Sequence, residues 1–281
     1  MLFAQATGFL LALGAATAWG GADFSGGLAS RRSSPLGVLA VSRLAGLLCY
    51  AGLAVATREH LPPVPSIGWA AAAGISGALG IAALYQGLAT GRAALVVPVS
   101  GVVGAAIPVT FTAIIAGTLP VVQQLGLLTA LIGIFLVSYG HGSGHSRWSS
   151  AFILGIVAGL GFGGFFIFLG QVESGYVFAP LAIVGCASFT VAAFFLTITR
   201  STLPTSTHAP MALLAGALDA TGAVCYLLAT RWIRLDVAAV LSSLYPAITV
   251  LLFRVVLKES VSRAQWVGLA VCIVAIALIA R

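Results

Sequence analysis

The chain has 281 residues, of which 60% are hydrophobic and only 7% are charged, and its mean hydropathy is +1.12. A soluble domain carries about 25% charged residues, so this composition excludes a protein whose surface lies mostly in water. The formal net charge of +7 is scattered between apolar stretches, and the lack of a basic cluster argues against a nucleic-acid partner.

Ten apolar stretches follow one another along the chain, separated by short polar loops. A helix needs about 20 apolar residues to cross the hydrocarbon of a bilayer. The pattern therefore predicts an all-α integral membrane protein with ten transmembrane helices, at residues 6–26, 35–56, 67–90, 93–116, 122–140, 151–171, 178–199, 209–230, 236–257 and 264–280. Pro98 and Pro108 should kink the fourth span, and Pro246 the ninth. The fifth and tenth spans are nearly free of polar residues, so we expect them to face lipid or a second protomer.

Metal, cofactor and catalytic motifs are missing from the sequence. The cysteines lie inside apolar stretches without CxxC spacing, at Cys49, Cys186, Cys225 and Cys272. His141 and His145 lie on a glycine-rich loop, and two ligands there do not complete a metal site. Neither a nucleophile–base set nor a nucleotide-binding P-loop occurs. We therefore expect no cofactor, no metal and no enzymatic activity.

The two halves of the chain are related. A shift of 142 residues superposes polar and small residues of the first half on identical ones of the second, including Arg92 on Arg234, Ser100 on Ser242, Gln123 on Gln265 and Gly126 on Gly268. A shift of 143 places Trp19-Gly20-Gly21 over Phe162-Gly163-Gly164. Since each half has five spans, an odd number, the repeats 1–145 and 146–281 should have inverted orientations. Inverted repeats are typical of transporters that work by alternating access.

The segment from Leu244 to Ala280 resembles the end of an EamA domain of the drug/metabolite transporter superfamily. Pro246, Glu259, Gln265 and Gly268 occupy the positions of the family pattern. Arg43, in VSRLAGLL, resembles the arginine common in the second helix of such domains.

The first repeat departs from this pattern. Gly117 stands where that repeat would carry the glutamate, and Gly104 stands at the proline position. The resemblance implies a ten-helix secondary transporter with a central cavity, often an exporter of amino acids or other metabolites.

Asp219 is the clearest candidate for a functional residue, because it lies halfway along the eighth span. An ionisable residue at membrane depth costs about 2.5–3.5 kcal/mol and points to function by default. Tyr226 follows seven residues later, on the same helix face. Asp219 should bind substrate or a proton; the alternative is a structural hydrogen bond to a neighbouring helix.

Asp23 and Trp19 share one face of the first span, four residues apart. Arg43 should lie at a comparable depth in the second span. Asp23 either forms an ion pair with Arg43 that holds these helices together or contacts the substrate.

The remaining candidates are polar or aromatic residues on other spans. Ser242, Tyr245 and Thr249 form a narrow polar stripe on the ninth span, and Ser100 is the repeat counterpart of Ser242. Aromatic walls with few polar groups suit small organic ligands. The predicted substrate-binding set is Trp19, Asp23, Tyr85, Gln86, Ser100, Asp219, Tyr226, Ser242 and Tyr245. Each member alone could instead be a packing or interfacial residue. We expect the cavity to be lined by spans 1, 3, 4, 6, 8 and 9.

The sequence thus predicts a secondary-active exporter of small organic metabolites such as amino acids, in a cell membrane and most simply the bacterial inner membrane. The alternatives are a multidrug or organic-cation efflux transporter and a non-transporting membrane scaffold. The expected partners are a small-molecule substrate and the lipid bilayer, with protons and a second copy of the chain as further candidates. Loop arginines and lysines mildly favour termini outside the cell, whereas the resemblance implies termini in the cytoplasm.

Overall fold

The computed structural model of the chain describes residues 2–89, 93–138, 148–256 and 262–279. These residues form helices and no strands: α1 Leu2–Ser30, α2 Pro35–Ala56, α3 Val64–Ala89, α4 Ala93–Ala116, α5 Val121–Ser138, α6 Trp148–Gly170, α7 Phe178–Ile198, α8 Ala209–Ala229, α9 Leu235–Ser242, α10 Tyr245–Val256 and α11 Arg263–Ile279. Arg92, Glu259 and the loop with His141 and His145 lie outside the described residues.

Helices α9 and α10 together form the ninth span, so the ten predicted spans are confirmed. The break falls at Ser243 and Leu244, one residue before Pro246, whose nitrogen cannot donate a backbone hydrogen bond. By contrast, α4 continues through Pro98 and Pro108. Within the described residues, seven helical stretches are long and apolar enough to cross a bilayer, one of them being α9–α10, and two shorter apolar helices lie in α5 and α11.

Helix packing follows the inverted repeat. The first half comprises α1–α5 and the second α6–α11, with α9–α10 equivalent to α4. Each contact between the halves has a counterpart in which both helices are replaced by their equivalents in the other half. Helix α1 packs on α8 as α6 packs on α3, and α2 packs on α8 as α7 packs on α3. Likewise α4 packs on α6, and α10 on α1. Helix α2 meets its own equivalent α7, and α5 meets α11. The two repeats are therefore inverted and interleaved around a common centre.

Two glycines allow the closest of these helix contacts, at equivalent positions 142 residues apart. A Cβ atom at Gly216 would run into the backbone carbonyl of Ser42, and one at Gly74 would run into the carbonyl of Val184. Ser42 and Val184 are themselves 142 residues apart. In lipid, small residues of this kind let helix backbones approach and pack by direct contact. The same backbone contact therefore joins α2 to α8 and α3 to α7.

Helices α5 and α11 lie at one edge of the bundle and pack on each other. Both expose large apolar side chains, among them Leu125, Leu128 and Ile132 on α5 and Trp266, Val267 and Ile273 on α11. Such a surface suits lipid. The contact between the two helices was not foreseen from the sequence.

Candidate functional site

A cavity lies between the two repeats near the middle of the bundle. It contains about 680 Å³ of space free of protein atoms, counting its open mouth. Spans 1, 2, 3, 6, 7, 8 and 9 contribute its lining, whereas we had expected span 4 and neither span 2 nor span 7. The lining residues are Trp19, Asp23, Arg43, Gly46, Tyr50, Gly77, Ile81, Phe162, Phe165, Phe166, Val184, Gly185, Ser188, Asp219 and Tyr245.

A buried ion pair crosses from one repeat to the other at this cavity. Arg43 Nη1 on α2 lies 2.9 Å from Asp219 Oδ2 on α8, and the two side chains are only 9% and 17% exposed. The close approach of α2 and α8 at Gly216 brings the two groups within reach. Removing two charges from water is costly, so each depends on the other for compensation.

Asp23 is a second acid in the same cavity and is 5% exposed. The ion pair that we considered between Asp23 and Arg43 is not the one formed: among the described residues, the carboxylate within salt-bridge distance of Arg43 belongs to Asp219. Asp23 nevertheless lies near enough to both for their charges to act on it. The cavity thus contains two carboxylates and one guanidinium.

Aromatic rings form the wall beside these charges. The ring centroid of Trp19 lies 6.0 Å from that of Phe165, 5.6 Å from that of Phe166 and 6.0 Å from that of Tyr226. The indole Nε1–H donates a hydrogen bond to the backbone carbonyl of Asp219, at 3.2 Å. Trp19 is therefore held in place by α8 while its ring faces the cavity.

Tyr226 supports this wall from behind. It is fully buried, outside the cavity lining, and its hydroxyl donates to the backbone carbonyl of Phe166 at 2.8 Å. The shared helix face of Asp219 and Tyr226 was deduced correctly, but the tyrosine lies deeper in the protein than a ligand-contacting residue would.

The predicted polar stripe on the ninth span divides between two environments. Tyr245 lines the cavity, and its hydroxyl lies 3.3 Å from Ser100 Oγ on α4. Ser242 Oγ instead donates to the carbonyl of Ala12, at 3.3 Å, and Thr249 Oγ1 to that of Gly20, at 3.2 Å. The last two contacts join the ninth span to α1.

Tyr85 and Gln86 lie outside the cavity lining. Tyr85 is buried against Gly26 of α1, whereas Gln86 is exposed. Of the nine predicted substrate-binding residues, the structure thus places four in the lining, Trp19, Asp23, Asp219 and Tyr245. The other five, Tyr85, Gln86, Ser100, Tyr226 and Ser242, lie outside it.

Several lining residues were missed from the sequence. Tyr50 lies seven residues after Arg43 on the same face of α2, a spacing that could have indicated it. Ser188 and the phenylalanines of α6 carry no signal distinguishable from ordinary helix packing. Arg43 was considered only as a helix-locking residue.

Ten of the lining residues occupy equivalent positions in the two repeats. At a shift of 143 these are Trp19 with Phe162 and Asp23 with Phe166, and at a shift of 142 they are Arg43 with Gly185, Gly46 with Ser188 and Gly77 with Asp219. The two repeats therefore contribute the same five positions to the cavity lining, with different side chains in each half.

Comparisons with known proteins agree with this architecture. Sixteen chains of solved structures match this chain. One of them, from a crystal structure, has a TM-score of 0.81 at 16% sequence identity, and the match covers 97% of this chain and 96% of that chain. That likeness concerns the fold. Among the curated proteins, none matches. The model of the EamA-like transporter family matches residues 6–139 and again 149–281. The chain therefore belongs to the EamA-like transporter family and is a multi-pass membrane transporter.

Proposed function

We propose that this transporter moves small organic metabolites, amino acids foremost, out of the cell through the cavity between its repeats. The observation that carries the proposal is a buried set of three ionisable side chains, Asp23, Arg43 and Asp219, enclosed by aromatic side chains at the centre of an inverted repeat. Charges at membrane depth are costly and mark substrate or ion pathways. Sites at the interface of inverted repeats suit alternating access.

The proposed energy source is an ion gradient. We take the protein to act in the bacterial inner membrane with protons as the coupling ion, and the two repeats as 1–145 and 146–281. Asp219 acts chiefly through Arg43, whose position it holds, and Asp23 is the acid that faces the solute. Trp19, Phe162 and Phe165 supply an apolar wall for the body of the solute.

Efflux from proteoliposomes tests the proposal. Vesicles loaded with labelled amino acids should release at least one of them faster with the protein than without, and a pH gradient should accelerate that release. Asp23→Asn should abolish the acceleration. Gln86→Ala provides a control, because Gln86 is exposed and outside the cavity lining. Folded protein that moves no amino acid under either condition would contradict the proposal.

An organic-cation exporter is the second candidate, favoured by the carboxylate of Asp23 on the same helix face as the Trp19 ring. A cation can interact with an aromatic face as well as with an acid. The same vesicles loaded with tetraphenylphosphonium decide between the two, since release of this cation without release of amino acids would favour the second candidate.

A further inference from the structure

Arg43 uses only part of its hydrogen-bonding capacity within the protein. The residue is 8% exposed, and Nη1 contacts Asp219. Nε and Nη2 are both buried and have no hydrogen-bond partner among the described residues. A buried donor without a partner is costly, and more so when its group is charged. The described part of the protein therefore does not satisfy all the hydrogen-bond donors of this guanidinium.

The two unpartnered nitrogens lie on one edge of the guanidinium plane. The N–H bonds of Nε and Nη2 point in parallel from that edge, at the spacing of the two oxygens of a carboxylate. Asp219 occupies Nη1 and leaves this edge without a hydrogen-bond partner in the part of the chain that the structure describes. Arg43 also lines the cavity. Because Nε and Nη2 are themselves buried, a solute in the cavity reaches this edge by displacing the side chains that cover it.

The other lining residues restrict which anion fits. Asp23 and Asp219 already place two carboxylates in the cavity, so a dianion such as phosphate would add more repulsion than a single carboxylate does. Phe162, Phe165 and Trp19 offer an apolar surface for the remainder of the molecule. A monocarboxylate with an apolar body matches both features.

We propose that the Nε–Nη2 edge of Arg43 binds the carboxylate of the transported solute in a bidentate manner and so determines specificity for carboxylate-bearing molecules. This inference rests on the proposed function and names the group on the solute that is recognised. Asp219 then serves as the positioning residue that orients the guanidinium. A solute that also carries an ammonium group can place it near Asp23.

Three ligands that share one apolar body test the inference on the purified wild-type protein. They are 3-phenylpropanoate, its uncharged amide 3-phenylpropanamide, and phenylalanine, which carries a carboxylate and an ammonium group. At least one carboxylate ligand should raise the melting temperature in a concentration-dependent way, and the amide should not. An effect from both carboxylates shows that the acid suffices and supports the inference. An effect from phenylalanine alone shows that the ammonium group is required, and the Arg43→Lys variant then decides whether the carboxylate is bound as well.

Variants locate the effect at Arg43. Arg43→Lys keeps the positive charge but loses the planar edge, so it should raise the Kd for the effective carboxylate about tenfold or more. Arg234→Lys is the matched control, because Arg234 forms the other described Arg–Asp pair, with Asp236 at 3.0 Å, and lies outside the cavity lining. It should leave the Kd unchanged.

The inference is overturned if the amide stabilises the wild-type protein as strongly as the acid, if neither carboxylate has an effect, or if a folded Arg43→Lys protein keeps the wild-type Kd. If Arg43→Lys does not fold, the wild-type comparison of acid and amide decides alone. Vesicle efflux separates this result from the proposed function. Release of the amide but of neither carboxylate would contradict carboxylate binding by Arg43 and support transport. Carboxylate-specific stabilisation without release of any compound would support carboxylate binding and contradict the proposed transport.

Discussion

Replacing Asp219 by asparagine removes one charge of the buried pair and little else. The amide has nearly the volume of the carboxylate and can still accept a hydrogen bond from Arg43 Nη1, now 2.9 Å from the acid. The guanidinium would then stay buried without a counter-charge at contact distance, and its Nε–Nη2 edge already has no hydrogen-bond partner among the residues described. The cost is therefore electrostatic rather than steric.

The magnitude follows from the burial of both partners. Breaking a buried ion pair by removing one member costs about 3–5 kcal/mol, because the remaining charge is uncompensated. The Asp219 side chain is 17% exposed and its asparagine replacement would retain a hydrogen bond, so we expect a loss near the lower end, about 3 kcal/mol in the free energy of unfolding. Transport should be lost as well, because Arg43 loses the group that orients it.

A double-mutant cycle measures the pair directly. Asp219→Asn, Arg43→Met and the combined variant are compared by denaturation of the purified proteins in detergent. The combined variant leaves neither member of this pair without its partner, so it should be more stable than the sum of the two single effects predicts, by about 2 kcal/mol or more. Additive losses, or a fully stable Asp219→Asn protein with normal transport, would show that the two charges do not stabilise each other.

Three further changes probe contacts other than the ion pair. Gly216→Ala adds a Cβ that meets the Ser42 carbonyl, so it should destabilise the protein by about 1–3 kcal/mol in denaturation experiments; Gly52→Ala, where a Cβ meets nothing within 4 Å, should not. Tyr226→Phe removes the 2.8 Å hydrogen bond to Phe166 and should cost about 1–2 kcal/mol, while the solute concentration for half-maximal efflux stays unchanged. Glu59→Gln weakens the contacts of its carboxylate with the backbone N–H groups of Val177 and Phe178, at 2.5 and 2.9 Å, and should increase hydrogen exchange at the start of α7.

The fold could be read from the sequence because lipid imposes strong rules. Spans must be long, apolar and helical, so interruptions by charged and polar residues located all ten of them. The repeat was visible because identical residues recur at a fixed shift, and an odd number of spans per half requires inversion. The break in the ninth span lies one residue before Pro246, which lacks a backbone donor. Pro108 does not break its helix, since α4 continues through it.

The site was less predictable, since helix periodicity does not show which helices are neighbours. Periodicity placed Trp19 with Asp23 and Asp219 with Tyr226 correctly on shared faces. It could not reveal that α2 contacts α8, and so it suggested Asp23 as the partner of Arg43 when the structure pairs Arg43 with Asp219. Periodicity also does not show how deeply a side chain is buried in the helix bundle, which is why the fully buried Tyr226 was predicted to bind the ligand.

The equivalent positions around the cavity explain how a duplicated fold can hold a single asymmetric site. Arg43 faces the cavity from a position where the second repeat has Gly185, and Asp219 from one where the first repeat has Gly77. The absence of a side chain at each counterpart avoids a second pair of charges, which would add a further desolvation cost. The one pair that remains joins α2 of the first repeat to α8 of the second. Any rearrangement that opens the cavity must therefore either move these two helices together or separate a buried ion pair, and the tight backbone contact at Gly216 favours movement together.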